Sequence, residues 1–333
     1  MRILFTPNPP ASVRDLVREL LPDGFSLEIA AEKAPGFDQE LARCDCLVGL
    51  PRTRLDAAFL ARAPGLRVIQ VLRSGVDRID LPAMDRAGVV VATVGESTSD
   101  SVAEHTLMLM LALSRKLLWQ HGAVIAGQWL HAKPWQLPGG DVDSVPEVSF
   151  AGLAGRTLGL IGLGRIGGRV ATLAAAFGAA CQATTQSGKP GDTLRGVPLC
   201  SLESLLETSD IVSLHLPLAP GTSGFMSAGA FARMKPGALL VNTARGELVD
   251  EQALVAALDS GRLAGAALDT LAQEPPPRDH PLLARQDVLL TPHTAWLSAD
   301  SWRRTLTFAY ANLQRFRRGE PLTSCVTASA RPK

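Results

Sequence analysis

Short apolar runs alternate with stretches of helical periodicity along most of the chain. Residues 3–6, 46–50, 68–72 and 89–93 are runs of strand length rich in Val, Ile, Leu and Cys. Between them, 12–20, 38–43 and 56–62 carry apolar residues at helical spacing. Alternation of this kind predicts a parallel sheet with helices on its faces. Residues 100–119 read as one long helix that is apolar around most of its circumference, as expected of a helix buried between domains or subunits. Met108 and Met110 read as core, and His105 as a histidine satisfied at an interface rather than a catalytic group. Residues 127–150 fit neither period. They hold Trp129, Trp135, three prolines and a Gly-Gly pair, and a loop this long in a compact domain points to function. From 157 the alternation resumes, with strands at 158–161, 180–184, 211–214, 238–242, 264–268 and 288–290 and helices at 169–177, 201–208 and 251–260. Residues 302–318 form a last amphipathic helix, with Leu306, Ala309, Leu313 and Phe316 near one face.

One junction carries more information than the rest. The strand ending at Ile161 runs into Gly162-Leu163-Gly164-Arg165-Ile166-Gly167 and then a helix that stops at Gly178. In G-x-G-x-x-G the first glycine allows a tight turn, the second lets a pyrophosphate approach the backbone, and the third lets helix and strand pack closely. The free N–H groups of the helix N-terminus then face the phosphates. The motif alone also occurs without a ligand; the legible strand and helix on either side favour dinucleotide binding.

Composition narrows the class without adding chemistry. With 333 residues the chain is long enough for two domains, and 46% hydrophobic and 20% charged residues are ordinary for a globular protein. A net charge of +1 shows no electrostatic footprint for nucleic acid or anionic membrane. The five cysteines fit no zinc spacing and read as thiols in a reducing compartment, and no metal site is expected. The N-terminus becomes a strand followed by Pro7, Pro9 and Pro10, without a signal-peptide apolar region, and no apolar run is long enough to span a bilayer. A cytoplasmic location is expected.

Three polar residues fall just past strands of the Gly-rich half, where ligands of open α/β sheets bind: Arg245, Glu274 and His293. Each alone has a plain alternative, as a salt-bridge partner, a solvated loop charge or a helix cap. Together at one sheet edge they are the parts for hydride transfer at a 2-oxo acid. A guanidinium offers a planar fork for a carboxylate. An imidazole gives a proton to the developing alkoxide or removes it in reverse. A carboxylate on the other ring nitrogen holds the tautomer and raises the imidazole pKa.

With these residues in view the chain resembles the D-isomer-specific 2-hydroxyacid dehydrogenases. The resemblance runs from Val71-Leu72-Arg73-Ser74-Gly75-Val76-Asp77 through Val102-Ala103-Glu104-His105 to Thr291-Pro292-His293-Thr294-Ala295. Its most specific marks are Asn242-Thr243-Ala244-Arg245-Gly246 and Gln273-Glu274-Pro275. The resemblance implies an α/β fold of two doubly wound parallel-sheet domains, a Rossmann cofactor domain at 100–296 inserted into a flavodoxin-like substrate domain at 1–99 and 297–333. It implies Arg245, Glu274 and His293 as catalytic residues, with the backbone of Ser74, Gly75 and Val76 holding the substrate carboxylate alongside Arg245. The cofactor would meet Gly162, Gly164, Arg165, Ile166, Gly167, His215, Pro217, Thr243 and Ala244, with Asp269 near the nicotinamide carboxamide. The active site would lie between the domains, and a homodimer would form through the cofactor domain. Where NAD-type members carry an acid after the second strand, this chain has Thr185, 18 residues beyond Gly167. Without that carboxylate a 2′-phosphate is not repelled, and Thr185, Ser187 and Lys189 are placed to receive it, so NADP is slightly favoured over NAD. Trp129, Lys133 and Trp135 resemble a loop of glyoxylate and hydroxypyruvate reductases that brings a Trp to the neighbouring subunit's pocket. Trp296 is a second candidate for shaping that pocket. A phosphite dehydrogenase of the same family, with Arg52, Arg54 and Arg73 as oxyanion partners, and a formate dehydrogenase are the alternatives, although formate enzymes carry Gln where Glu274 stands. A dinucleotide-sensing binding protein is the alternative outside enzymes.

Overall fold

A computed structural model of the chain describes residues 1–127, 150–298 and 300–328, and the loop expectations placed on Trp129, Lys133 and Trp135 lie outside them. The chain falls into two compact units, Met1–Thr98 with Leu297–Lys333, and Ser99–Trp296.

The first unit runs β1 (Arg2–Thr6), α1 (Ala11–Glu19), β2 (Ser26–Ile29), α2 (Phe37–Arg43), β3 (Cys46–Gly49), α3 (Ala57–Arg62), β4 (Val68–Gln70), α4 (Leu81–Arg86) and β5 (Val90–Ala92). All pairings are parallel, in the order β2-β1-β3-β4-β5, the flavodoxin-like order with its reversal between β1 and β3. Alternate residues of each strand go to opposite faces. Leu4, Leu47, Ile69 and Val91 pack with Phe37, Leu41 and Phe59 on one side, while Ile3, Phe5, Cys46, Val48 and Val68 pack with Val13 and Val17 on the other. Both faces are dry, which is why these strands read as unbroken apolar runs.

The second unit runs α5 (Ser99–Ser114), α6 (Leu117–Ile125), β6 (Thr157–Ile161), α7 (Arg165–Ala176), β7 (Ala180–Thr184), the short pair β8 (Thr193–Leu194) and β9 (Val197–Pro198), α8 (Leu202–Thr208), β10 (Ile211–Leu214), α9 (Ala228–Arg233), β11 (Ala238–Asn242), α10 (Glu251–Asp259), β12 (Leu263–Leu268) and β13 (Val288–Leu290). Its six-stranded sheet is parallel throughout, ordered β13-β12-β11-β10-β6-β7, so the reversal lies between β6 and β10. Along β11, Ala238 and Leu240 join one core and Leu239 and Val241 the other. At roughly 1.5–3 kcal/mol per fully buried aliphatic side chain, the sheet is held from both sides. The chain then returns to the first unit as α11 (Ser301–Arg317), whose Leu306, Tyr310 and Leu313 pack on the same face as α1.

The long helix expected over 100–119 is two helices. Lys116 takes a left-handed conformation at φ 49°, which separates α5 from α6, and polar Ser114, Arg115 and Lys116 mark the break. Within α5, Met110 is fully buried but Met108 is 47% exposed, against its reading as core. The elements absent from the sequence reading are β2, α4, α9 and the β8–β9 pair, all short. Among the described residues no helix is long and apolar enough to cross a membrane.

Candidate active site

The glycine turn between β6 and α7 is built as its spacing requires. Gly162 has φ +97°, and a Cβ there would sit 2.7 Å from the His215 carbonyl oxygen. A Cβ on Gly167 would sit 2.3 Å from the Gly162 carbonyl oxygen. At Gly164, by contrast, a Cβ would meet nothing within 4 Å. Two glycines are therefore demanded by packing, and the middle one keeps an open approach to the first turn of α7, where backbone N–H groups are free to bind phosphate. A dinucleotide fits this cradle. Arg165 and Ile166 start the helix, and the turn after β10, which runs on to Pro217, brings His215 beside the glycines. His215 is bonded to Ser213 Oγ at 2.9 Å, and burial pushes its pKa down to about 4, so the ring is neutral.

At the end of β7, Thr185 stands where an acid was looked for, and its hydroxyl accepts from the Gly188 N–H at 3.0 Å. Ser187 and Lys189 are exposed on that turn. Sequence reasoning missed a cation nearby. Arg195, between β8 and β9, runs across α7 so closely that a Cβ on Gly168 would lie 2.9 Å from its Cδ. A glycine just beyond the G-x-G-x-x-G motif was the available signal.

The reactive groups come from the carboxyl ends of β11, β12 and β13. After β11, Asn242 shapes the turn: its Oδ1 accepts from Ala244 N at 3.0 Å and its Nδ2 donates to Arg245 O at 2.8 Å. Thr243 is tied to Thr106 of α5, hydroxyl to hydroxyl, at 2.8 Å. The next residue after Arg245, Gly246, passes so near the neighbouring loop that a Cβ would lie 1.9 Å from the Leu271 carbonyl carbon. That contact draws the Arg245 turn against the loop carrying Glu274, and its Gly was a signal passed over. Glu274 Oε1 accepts from the Leu271 N–H at 3.2 Å, and its Oε2 meets His293 Nδ1 at 2.7 Å. Burial alone would raise the Glu274 pKa. The hydrogen bond and charge of His293, the Leu271 N–H and the Arg245 charge outweigh it and hold the carboxyl below its ordinary value. Glu274 is an anion at neutral pH. His293 is left with Nε2 facing no partner among the described residues.

His293 itself is at φ 55°, a conformation costing on the order of 1 kcal/mol for a residue with a side chain. Asp269, expected near the nicotinamide, is what grips that turn. It takes the Thr291 hydroxyl at 2.6 Å, the Thr294 N–H at 2.9 Å and the Ala295 N–H at 3.0 Å, with its side chain 1% exposed. His105, read as an interface residue, lies within this unit, 3.6 Å from the same carboxylate. Trp296 follows, partly buried. A cavity of about 480 Å³ opens beside the pair, lined by His293, Glu274, Leu271, Pro275 and Leu283. A second, of about 440 Å³, lies at the opposite edge, where β11, β12 and β13 begin, away from every reactive candidate. In the first unit, Ser74, Gly75 and Val76 form an exposed to half-buried turn after β4, and among the described residues their N–H groups pair with no backbone carbonyl.

Over most of its length the chain is similar to known proteins. The family model described as D-isomer specific 2-hydroxyacid dehydrogenase, NAD binding domain, matches residues 107–295. A glyoxylate reductase of Korarchaeum cryptofilum is 35% identical over 302 residues, 89% of this chain and 88% of that protein. A solved structure of a Thermus thermophilus protein superposes with TM-score 0.82 at 36% identity, covering 98% of this chain and all of that one. The D-lactate dehydrogenase of Aquifex aeolicus, solved with NAD and lactic acid, gives TM-score 0.81 at 29% identity over 96% of each chain.

Proposed function

The chain belongs to the D-isomer-specific 2-hydroxyacid dehydrogenases, oxidoreductases that use a nicotinamide dinucleotide, and from that membership we propose that it interconverts a small 2-oxo acid, such as glyoxylate or hydroxypyruvate, and its D-2-hydroxy acid through Arg245, Glu274 and His293. The observation that carries this is the ionised Glu274 on one nitrogen of His293, with the other nitrogen open and Arg245 drawn alongside.

A dinucleotide held at the Gly162–Gly167 turn would supply the hydride for C2 of the oxo acid, or take it up in the reverse direction. Arg245 pairs its guanidinium with the substrate carboxylate. His293 gives the proton on Nε2 to the carbonyl oxygen as that oxygen gains charge, and hydride and proton together complete the hydroxy acid. Glu274 on Nδ1 fixes the tautomer and stabilises the imidazolium before transfer. Trp296 limits the substituent that the site admits.

For the cofactor we favour NADP(H). Thr185 rather than an acid follows β7, its hydroxyl taking the Gly188 N–H, and Ser187 and Lys189 are exposed on the same turn, where Asp192 is engaged by the Lys189 N–H at 3.1 Å; Arg195 lies across α7. We place a homodimer contact on α6, where Leu117, Leu118, Val124 and Ile125 are all exposed; an unpaired apolar face of this kind marks a protein contact. The five cysteines are free, and burial pushes the Cys44 and Cys46 thiols up to about 12, where they stay protonated and unreactive. Such thiols and a reduced dinucleotide co-substrate fit the cytoplasm.

Initial rates with NADPH and NADH against a panel of 2-oxo acids test the proposal. Consumption of reduced dinucleotide with at least one acid is expected, with the lower KM for NADPH. No consumption across the panel overturns the reaction, and a lower KM for NADH overturns the cofactor preference.

A further inference from the structure

The turn bearing His293 is gripped by a carboxylate that is itself held from a distant helix. Asp269 bonds to residues on both sides of His293, through Thr291 Oγ1 before it and the amides of Thr294 and Ala295 after it. Backbone bonds from His293 N to Asp269 O at 2.8 Å and to Thr291 O at 3.0 Å close the same turn. Without these the left-handed His293 would relax toward an ordinary conformation and swing its ring away from Glu274. The Thr291 hydroxyl has one proton, and it is given to Asp269 at 2.6 Å. Its oxygen is therefore an acceptor toward the remaining neighbour, His105 Nε2 at 3.0 Å, which must carry a proton.

We infer that His105 is a positioning residue for catalysis: its Nε2–H fixes the Thr291 hydroxyl, the hydroxyl fixes the Asp269 carboxylate, and the carboxylate holds the strained turn that presents His293. This rests on the role of His293 proposed above. His105 is set for the task by its place in α5, whose flanking residues Ala103, Leu107 and Met110 are anchored in the core of the same unit. Its side chain is 16% exposed and that of Asp269 only 1%, so the chain of bonds is largely shielded from water. Burial lowers the His105 pKa, the nearby Asp269 opposing it, which keeps the ring a neutral single donor rather than a second charge at the site. A histidine retained only for packing would need no ordered donor chain behind it.

The test compares His105→Leu, His105→Gln and Thr291→Val in the full-length enzyme. His105→Leu is expected to lower kcat about tenfold, with KM for the oxo acid and the dinucleotide Kd changed less than about twofold. His105→Gln, which restores a donor, is expected to recover most of the loss. Thr291→Val is expected to match His105→Leu, and the double variant to be no worse than either alone, because both cut one chain. Hydrogen exchange of the 291–296 amides, read without turnover, is expected to quicken in His105→Leu and not in His105→Gln. Unchanged kcat and unchanged exchange in His105→Leu overturn the positioning role, as do fully additive losses. If the wild type turns over no oxo acid, the proposed reaction fails, and the exchange measurement still decides whether His105 orders the turn.

Discussion

Two histidine–glutamate pairs sit within one loop system of the second unit and do different work. His293 and Glu274 meet at 2.7 Å with side chains 37% and 39% exposed. His280 and Glu251 meet at 3.1 Å with side chains 11% and 19% exposed. In the less exposed pair every polar side-chain atom is engaged. His280 Nδ1 takes the Leu282 N–H, and Glu251 Oε1 takes the Ala272 N–H at 2.9 Å. That pair pins down both ends of the loop on which Glu274 rides. In the open pair one imidazole nitrogen is left over, and the leftover nitrogen is what can do chemistry. The same two residue types make a clasp when all their atoms are used and an acid–base pair when one is not.

Removing a carboxylate from each pair sharpens the contrast. Glu274→Ala is expected to lower kcat by about 10²-fold with little change in melting temperature, since it orients the reacting ring and is well exposed. A kcat within a few-fold of wild type would break the distinction. Gly246→Ala comes next. Its Cβ collides with the Leu271 carbonyl, so it should separate the Arg245 turn from the Glu274 loop, costing about 1–3 kcal/mol of stability and roughly tenfold in kcat. Steady-state rates and thermal melts read both. Glu251→Ala is expected to be the mirror of Glu274→Ala, with about 1–3 kcal/mol lost in denaturant melts and kcat lowered by less than about tenfold. A larger loss of turnover than of stability would make the His280–Glu251 pair part of the chemistry.

The smallest effect is in pH. The Glu274 carboxyl is held below its ordinary value near 4.5 in the fold. It therefore adds stability above that value and loses it as pH falls through the folded value. Acid melts of wild type and Glu274→Gln should converge in this range and diverge above it. Parallel curves would show that the pair is not formed in solution.

Much of the second unit was legible because its central strands, β10 and β11 among them, are buried on both faces and read as continuous apolar runs. The strands β7, β10, β11 and β13 begin and end where the pattern places them. Shorter elements were not legible for physical reasons. The edge strand β2 is half exposed and shows no apolar run, and α4 is six residues with a Pro near its start. The break after α5 depends on a left-handed Lys116, a residue type with no particular taste for that conformation. At the site, Arg245, Glu274 and His293 were visible as polar residues just past strands. Their supports were not, because Gly246, Asp269 and His105 act through contacts between residues far apart in sequence, and periodicity carries no such information.

The most direct test of the account is single-turnover reduction of glyoxylate, or of whichever oxo acid the panel favours, by enzyme saturated with reduced dinucleotide, in wild type and His293→Ala. This isolates the chemical step from binding and product release. A chemical step slowed by roughly 10²–10⁴-fold, with dinucleotide bound as tightly as in wild type, is the expected result. Equal single-turnover rates in the two proteins would contradict it and remove His293 from the proton transfer.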